Sequence, residues 1–234
     1  MPQPPKSKKK PPAADHTQKA YLGLRRMFFL NEIVPGQKIS YRDLAERLEM
    51  SPTPIIQALK RLEFQGLVRH EPNRGYYTEE ISIQEVEEAY ELRELIEISL
   101  LPRIIDRMDA SGLSRLSEAF NTHAETMKGR SLNERLLADM EFHLLLADLS
   151  GCRVQKRALQ NLFDLLYLKY RGNMLFLTSM DAAGEEHSRI LRSIEARDLE
   201  AARRHLSDHI RNVKKHALLS LHQRLDEKSG DMDF

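Results

Sequence analysis

The chain has 234 residues, of which 41% are hydrophobic, enough to pack two domains of ordinary size. Its single cysteine, Cys152, excludes an intrachain disulfide framework and fits a reducing compartment. The sequence shows neither a secretory signal nor about 18 consecutive apolar residues, so we expect a cytoplasmic protein without a membrane-spanning segment.

The formal net charge of +1 conceals an uneven distribution along the chain. Residues 1–14 carry four lysines and no acid, and residues 15–79 carry ten basic and eight acidic side chains. Residues 80–234 carry 22 basic and 27 acidic side chains. A basic front and an acidic rear suggest that the front meets a polyanion. For the lysine-rich start alone, a merely solubilising tail is an equal alternative.

The first segments in chain order predict a tail and two helices. Residues 1–14 are rich in proline and lysine, so we expect a disordered basic tail. From Tyr21, the stretch YLGLRRMFFLNEIV places Leu24 and Phe28 on one helical face. The stretch SYRDLAERLEM predicts a short second helix with Ser40 as its N-cap.

A third helix and a hairpin are predicted next. Ser51 can cap the helix SPTPIIQALKRL, and its two prolines fall in the first turn, where backbone N–H groups lack intrahelical partners. The stretch GLVRHEPNRGYYTEE predicts a β-hairpin that turns at residues 72–75. Three helices and a hairpin within residues 15–79 predict a winged helix-turn-helix domain, a DNA-binding fold.

The rest of the chain is predicted to be helical almost throughout. Apolar residues recur at helical spacing over residues 80–226, which predicts an all-α bundle of about six or seven helices, with a flexible tail over residues 227–234. We expect the helix breaks near Ser111-Gly112, Lys128-Gly129, Ser150-Gly151, Arg171-Gly172, Ala183-Gly184 and Arg197-Asp198. The fold class is therefore mainly α: an N-terminal winged helix followed by a helical ligand-binding bundle.

Both halves resemble one family. The stretch PGQKISYRDLAERLEMSPTPIIQALKRLEFQGLVRHEPNRGYY resembles the winged helix of GntR-type bacterial transcription regulators. The stretches YELRELIE, DMEFHLLLADLSG and EHSRILRSIEARDLEAARRHLSDHI resemble the helical effector-binding (FCD) domain of the FadR-like branch, and the length suggests the VanR-like six-helix form. The resemblance implies a homodimeric regulator that binds a double-stranded DNA operator and responds to a small carboxylate effector.

The predicted recognition helix departs from the family pattern. Where the family usually carries two arginines, this chain has Pro52 and Ile56, whereas a third family arginine has its counterpart in Arg42. A helical wheel turns Ile55, Ala58, Leu59 and Leu62 inward. We expect the operator to be richer in A·T than is usual in the family and to be contacted by Arg42, Ser51, Thr53, Ile56, Gln57, Lys60 and wing residues Asn73, Arg74 and Gly75. The alternative makes Ile56 a core residue and leaves specificity to the wing.

Asp139 and His143 lie four residues apart on a predicted helix, which places both on one face. His187 was expected to open a later helix, and His209 to lie on the last one. The resemblance implies that these four residues bind one divalent metal. Three imidazoles and one carboxylate suit Zn²⁺ or Ni²⁺ better than Mg²⁺. Taken singly, each histidine fits an exposed or structural role better, and His205 competes with His209 for the assignment.

The resemblance also points to an effector site. Arg93 matches an arginine that faces the effector in relatives, and a guanidinium can hold a carboxylate by two hydrogen bonds. The alternative for Arg93 is a helix-surface ion pair with Glu97. Tyr167 and Arg171 are further candidates for the effector cavity. Two other functions compete with the regulator: a metal-dependent hydrolase, which lacks an evident general base here, and a DNA-binding dimer without an effector.

Overall fold

The protein is described by a computed structural model that covers residues 13–126, 131–170 and 180–230. The chain divides into two compact units, residues 1–81 and residues 82–234. No helix in the described ranges is long and apolar enough to cross a membrane. Each unit is described below by itself.

The first unit is a winged helix-turn-helix, as predicted. Its elements in chain order are α1 (Ala13–Phe29), β1 (Lys38–Ile39), α2 (Tyr41–Arg47), α3 (Pro52–Phe64), β2 (Val68–Glu71) and β3 (Gly75–Thr78). The strands form an antiparallel sheet in the order β1-β3-β2, and Val68 pairs with Thr78 at the open end of the β2-β3 hairpin. The wing turns where Asn73 and Gly75 both adopt positive φ, and Arg74 N–H donates to Glu71 C=O.

The core of this unit follows the predicted helical faces. Leu24 and Phe28 of α1 are buried, as expected. On α3, the predicted inward residues are all fully buried: Ile55, Ala58, Leu59 and Leu62. Ser40 caps α2, because its side chain accepts a hydrogen bond from Asp43 N–H. Amphipathic periodicity therefore fixes which face of each helix packs.

Three local features of this unit differ from or add to the sequence analysis. Helix α1 includes residues from Ala13, before the apolar pattern that starts at Tyr21, and Arg61 of α3 lies over the Tyr21 ring and donates to Gln18. The short strand β1 was not predicted. Ser51 occupies the N-cap position without making a side-chain cap. An N-cap side chain accepts from the N2 or N3 N–H, and Pro54 at N3 has none.

The second unit is an all-helical bundle, as predicted. Its described elements are α4 (Ile83–Arg107), α5 (Ala110–Thr126), α6 (Leu132–Leu149), α7 (Arg153–Asp164), a π-helical segment (Leu165–Tyr170), α8 (Met180–Glu195) and α9 (Leu199–Gly230). Helix α9 packs against α4 and α8, and α5 packs against α6. Three of these helices, α6, α8 and α9, carry the residues of the predicted metal site.

The predicted helix boundaries in this unit hold in part. Breaks occur at Gly151 and Arg197, both with positive φ. The break expected near Ser111-Gly112 lies earlier, where Asp109 Oδ1 accepts from Gly112 N–H. The break at Ala183-Gly184 was wrong, since α8 continues through it, and one helical glycine costs only about 1 kcal/mol.

Two other boundaries differ, and two expected breaks cannot be placed. His187 lies within α8 and does not open it. Helix α9 continues through Gly230, so the first part of the expected C-terminal tail is helical. The expected breaks at 128–129 and 171–172 fall on residues outside the described ranges.

Candidate metal centre and DNA-binding surface

Four side chains from three helices converge inside the bundle. Asp139 and His143 lie on α6, His187 on α8 and His209 on α9, and one ligand atom of each lies within 4.8 Å of those of the others. Asp139 Oδ1 is 3.3 Å from His187 Nε2, 3.7 Å from His143 Nε2 and 3.8 Å from His209 Nε2. The three imidazoles are buried. The i,i+4 spacing on α6 therefore brings the pair together as the sequence indicated.

The outer nitrogens of two histidines face carboxylates. His143 Nδ1 lies 2.5 Å from Glu97 Oε2, and His209 Nδ1 lies 2.9 Å from Glu186 Oε2. A carboxylate can only accept, so each Nδ1 carries a proton, and each Nε2 is left on the side of the cluster, where it can bind a metal once it carries no proton itself. Carboxylates in this position commonly orient metal-bound histidines. Neither Glu97 nor Glu186 was identified from the sequence as part of the site.

The inner nitrogens fit a bound cation. His143 Nε2 and His209 Nε2 are 3.2 Å apart, and two neutral rings with this tautomer would point lone pairs at each other. Each Zn–N bond is about 2.0–2.1 Å long, so both atoms can reach one ion. The donor set of three imidazoles and one carboxylate suits Zn²⁺ or Ni²⁺. A divalent metal therefore fits these residues.

Asp139 is held so that only one of its oxygens faces the histidines. Tyr167 O–H donates to Oδ2 over 2.9 Å, while Oδ1 makes all three approaches to imidazole nitrogens. Burial alone would raise the pKa of Asp139, but His143, His187 and the Arg93 guanidinium hold it well below its usual range. Asp139 is therefore an anion ready to bind a cation.

Arg93 and Glu97 form a buried ion pair beside this cluster. Arg93 Nε lies 2.6 Å from Glu97 Oε1, and both side chains are essentially inaccessible to solvent. Burial alone would raise the pKa of Glu97, yet His143 and Arg93 lower it to about 2. The alternative for Arg93, an ion pair with Glu97, is confirmed. Its expected location on the helix surface was wrong, because the face of α4 that carries both residues packs inward.

Arg93 retains hydrogen-bonding capacity inside the bundle. Its Nη1 and Nη2 atoms are buried without a hydrogen-bond partner in the part of the chain that the structure describes. Nη2 lies 4.0 Å from Asp139 Oδ2, and the guanidinium carbon is 4.8 Å from the centre of the Phe163 ring. The guanidinium therefore adjoins the four-residue cluster while two of its nitrogens still have donors to offer.

His123 on α5 is a fifth buried histidine that sequence reasoning missed. Its ring packs 4.1 Å, centre to centre, from that of His187, and its Nδ1 atom has no hydrogen-bond partner among the described residues. Burial and the nearby His187 lower the pKa of His123 to about 4. Its position seven residues after the buried Leu116 places it on the inward face of α5, which is the sequence signal that could have identified it.

His205, the competing histidine, lies outside the cluster. His205 lies 2.8 Å from Ser193 Oγ through its Nδ1, which is a satisfied structural contact. It is thus separate from the four converging residues. Arg171 lies outside the described residues.

The outward face of α3 is exposed, as the helical wheel indicated. Ser51, Thr53, Gln57 and Lys60 are exposed, and Ile56 is half-buried at the edge of the core. Arg42 on α2 is also exposed. In the wing, Asn73 and Arg74 are exposed. The other side chains predicted to contact DNA are therefore accessible, and the DNA-contacting role of each residue stays a prediction.

One contact modifies the expectation for Gln57. Its side-chain oxygen accepts a hydrogen bond from Thr17 Oγ of α1 over 2.5 Å. The amide thus lies on the side of α3 that faces α1. Reading adenine with both ends of that amide requires the Thr17 contact to be exchanged for a base contact. The hydroxyl of Ser51, in contrast, is not used as a helix cap.

Comparison with known proteins was made for both units. A family model described as "FCD domain" matches residues 88–212, and one described as "Bacterial regulatory proteins, gntR family" matches residues 16–77. The uncharacterized HTH-type transcriptional regulator YdhC of Bacillus subtilis (strain 168) is 28% identical over 201 residues, covering 84% of this chain and 88% of the relative. The HTH-type transcriptional repressor RspR of Escherichia coli (strain K12) is 22% identical over 204 residues, covering 87% and 90%.

A solved structure supports the fold. E. coli McbR/YncC superposes with a TM-score of 0.75 at 18% identity, covering 90% of this chain and 98% of the other. At that identity the likeness bears on the fold alone.

A winged helix joined to such a helical domain defines a class of DNA-binding transcriptional regulators. The chain belongs to the gntR family of bacterial regulatory proteins and carries the FCD domain of that family. Because both family models and the relatives are those of regulators, the protein is a transcriptional regulator and not an enzyme. The metal-dependent hydrolase is thereby set aside. The VanR-like branch stays a prediction.

Proposed function

We propose that this regulator acts in the cytoplasm as a homodimer whose helical domain holds a divalent metal and binds a small organic acid. Binding of the acid shifts the population between arrangements that do and do not fit a double-stranded operator. The observation that carries the effector part is the Arg93 guanidinium, fully buried with two nitrogens that lack partners among the described residues.

The metal would be held by Asp139, His143, His187 and His209. Glu97 and Glu186 orient two of the imidazoles, and Tyr167 fixes the aspartate. Zn²⁺ or Ni²⁺ fits this donor set. When bound, such a cation supplies a concentrated positive charge that attracts a carboxylate.

The effector argument rests on hydrogen-bond satisfaction. Leaving a buried polar group unpaired costs about 1–3 kcal/mol, and more when the group is charged. A carboxylate would satisfy Nη1 and Nη2 of Arg93 together in the bidentate geometry that guanidinium favours. The unpaired Nδ1 of His123 offers a further contact to a polar group of the same ligand. A small organic acid could thus accept hydrogen bonds from the buried Arg93 nitrogens that have no partner among the described residues.

DNA recognition would use the exposed face of α3 and its neighbours. Thr53 and Gln57 can hydrogen-bond bases or phosphates, and Ile56 can contact thymine methyl groups, which favours A·T-rich operators. Lys60 and the free hydroxyl of Ser51 would contact the backbone. The cationic contacts missing at Pro52 and Ile56 would come from Arg42 and from Arg74 of the wing, and the neighbouring wing residues Asn73 and Gly75 would contact the DNA beside Arg74.

Dimerisation would supply the second half of the recognition surface. One winged helix with so modest a charge gives limited specific affinity, and two copies related by a two-fold axis read paired half-sites. Sedimentation of the purified protein at micromolar concentration is expected to show a dimer. A monomer under those conditions would contradict this part of the proposal.

The effector is tested by ligand-dependent stability. Metal-loaded protein is screened by thermal unfolding against acetate, succinate and citrate, and then against larger acids. A true effector at 100 times its dissociation constant stabilises the protein by about 2.7 kcal/mol and alters operator affinity in a gel-shift assay. Arg93→Lys keeps the charge but loses the planar fork, so it is expected to abolish the shift. The matched control Arg103→Lys, on the exposed side of the same helix, is expected to retain it.

A DNA-binding dimer without an effector makes the opposite prediction. In that case no acid shifts the unfolding temperature, and Arg93→Lys binds the operator like the parent under every condition. Metal content measured by elemental analysis tests the cation separately from the acid.

A further inference from the structure

The π-helical segment Leu165–Tyr170 is an unusual element that the proposed function has not yet used. It continues α7 without a break, and its residues from 166 to 170 are buried. In a π-helix the backbone hydrogen bonds run from i to i+5, which accommodates an extra residue and turns the following side chains to new directions. Such segments are rare and often lie at functional sites.

One end of the segment reaches the metal cluster. Tyr167 O–H donates to Asp139 Oδ2 over 2.9 Å, so the tyrosine contacts the carboxylate whose other oxygen faces the three histidines. The Tyr167 ring also stacks on Phe163, with ring centres 5.6 Å apart. The position of Tyr167 is thus tied to the position of Asp139.

The other end of the segment reaches the first turn of α4. Lys169 Nζ lies 2.5 Å from Glu85 Oε2, and the Tyr170 hydroxyl also contacts the Glu85 carboxylate. The same hydroxyl accepts a hydrogen bond from Ser82 N–H over 3.3 Å. Ser82 is the N-cap of α4, since its own side chain accepts from Glu85 N–H. The Lys169 side chain is 6% exposed and that of Glu85 is 35% exposed, so the ion pair is partly shielded from water.

These contacts fall at a particular place in the chain. Ile81 is the last residue of the winged-helix unit, and Ser82 is the first residue of the helical unit. The hydrogen bonds of Tyr170 and Lys169 therefore hold the turn at which the helical domain starts.

We propose that the π-helical segment couples the state of the metal cluster to the first turn of α4. The inference rests on the proposed function, because it takes the four-residue cluster as the place where metal and effector bind. Tyr167 and Tyr170 lie on the same short segment, so a change in its hydrogen-bond pattern reorients both side chains. A shift of Asp139 on binding is then communicated to Ser82 and Glu85 through the hydrogen bonds of Tyr167 and Tyr170.

Hydrogen exchange measures this coupling without a known effector. Purified full-length protein is compared with and without Zn²⁺, and exchange is followed in the peptide that covers residues 82–86. In the parent, Zn²⁺ is expected to change the exchange rate of this peptide severalfold. Tyr170→Phe removes the hydroxyl that joins Ser82 and Glu85, and is expected to lose the Zn²⁺-dependent difference while binding the same amount of metal.

Additional variants keep the test decisive. Tyr167→Phe cuts the link at the Asp139 end and is expected to lose the difference as well. Lys169→Met provides a second cut at the α4 end should Tyr170→Phe fail to fold. Tyr77→Phe in the winged helix is the matched control and is expected to behave as the parent.

The outcomes separate this inference from the proposed function. Zn²⁺ bound by the parent with unchanged exchange at residues 82–86 overturns the coupling alone. A parental Zn²⁺-dependent difference in Tyr170→Phe and in Lys169→Met also overturns it alone. Failure of the parent to bind Zn²⁺ or Ni²⁺ overturns the proposed metal centre and the coupling together.

Discussion

Replacement of Glu97 by glutamine is the most informative single change in the helical domain. One oxygen of Glu97 faces Arg93 Nε at 2.6 Å and the other faces His143 Nδ1 at 2.5 Å. Glutamine has nearly the same shape but no charge, and only one of its two terminal atoms can accept a hydrogen bond. Glu97→Gln therefore removes the counter-ion of Arg93, and its NH2 group replaces the acceptor of either Arg93 Nε–H or His143 Nδ1–H with a donor.

Two separate losses are expected from this change. Removing one partner of a buried ion pair costs about 3–5 kcal/mol, because the other charge is left uncompensated. Since Asp139 lies 4.0 Å from Arg93 and can compensate part of that charge, we expect the free energy of unfolding to fall by about 3 kcal/mol. A domain of this size then loses about 6–12 °C in unfolding temperature. Removing the outer partner of a metal-bound histidine lowers metal affinity about 10–100-fold.

The two losses are measured independently. Thermal unfolding of the metal-free protein reports stability, and competition with a chelator of known affinity reports metal binding. The matched control is Glu91→Gln on the same helix, whose side chain is 60% exposed and pairs with Lys214 at the surface. Such a pair contributes about 0–1 kcal/mol, so neither measurement should change much. Parental metal affinity in Glu97→Gln would refute the role of Glu97 in orienting His143.

Three other predictions concern the metal, the pH dependence and the operator. His143→Ala is expected to abolish stoichiometric metal by elemental analysis and to lower the unfolding temperature, whereas His205→Ala is expected to do neither; equal metal in both variants would refute the assignment. The pKa of Glu97 falls from 4.5 to about 2 on folding, so its charge stabilises the native state above pH 4.5. As the pH of metal-free protein is lowered from 4.5 to 2, the free energy of unfolding should decrease by up to about 3 kcal/mol. This decrease should be absent in Glu97→Gln. Gln57→Ala is expected to lower the binding free energy for a selected operator by about 1–3 kcal/mol and to change binding to random DNA little, as measured by gel shift at fixed salt. If Arg42 contacts phosphate, Arg42→Ala is expected to weaken binding to the operator and to random DNA alike. A Gln57→Ala variant that binds the operator like the parent would show that this side chain does not read bases.

The sequence predicted the elements whose signal is periodic. Apolar spacing on α3 identified its inward face from Ile55 to Leu62, and the turn residues around Gly75 placed the wing hairpin. The spacing of Asp139 and His143 put both on one side of a helix. These features depend on local geometry, which the order of residues determines directly.

Features that depend on contacts between distant segments were missed. The part of α1 before Tyr21 contacts α3 through Thr17 and Gln18, which the composition of the first residues does not reveal. The alternative for Arg93 placed its pair with Glu97 at the surface, because an i,i+4 pair is equally common on exposed helices. Helical spacing could indicate that His123 is buried, but its proximity to His187 arises from the packing of α5 against α8.

The position of Arg93 shows why a buried charge is informative only together with its surroundings. A guanidinium paired with Glu97 alone would be an ordinary structural ion pair, and burying it would bring little net stability. Here the same guanidinium lies next to a cluster of histidines whose Nε2 atoms converge, and two of its nitrogens have no partner among the described residues. Under the proposed function, such an arrangement costs stability in the absence of a ligand and recovers it when an anion binds. The energy released on binding would then be available to shift the population of the helical domain, which is what a ligand-responsive regulator requires.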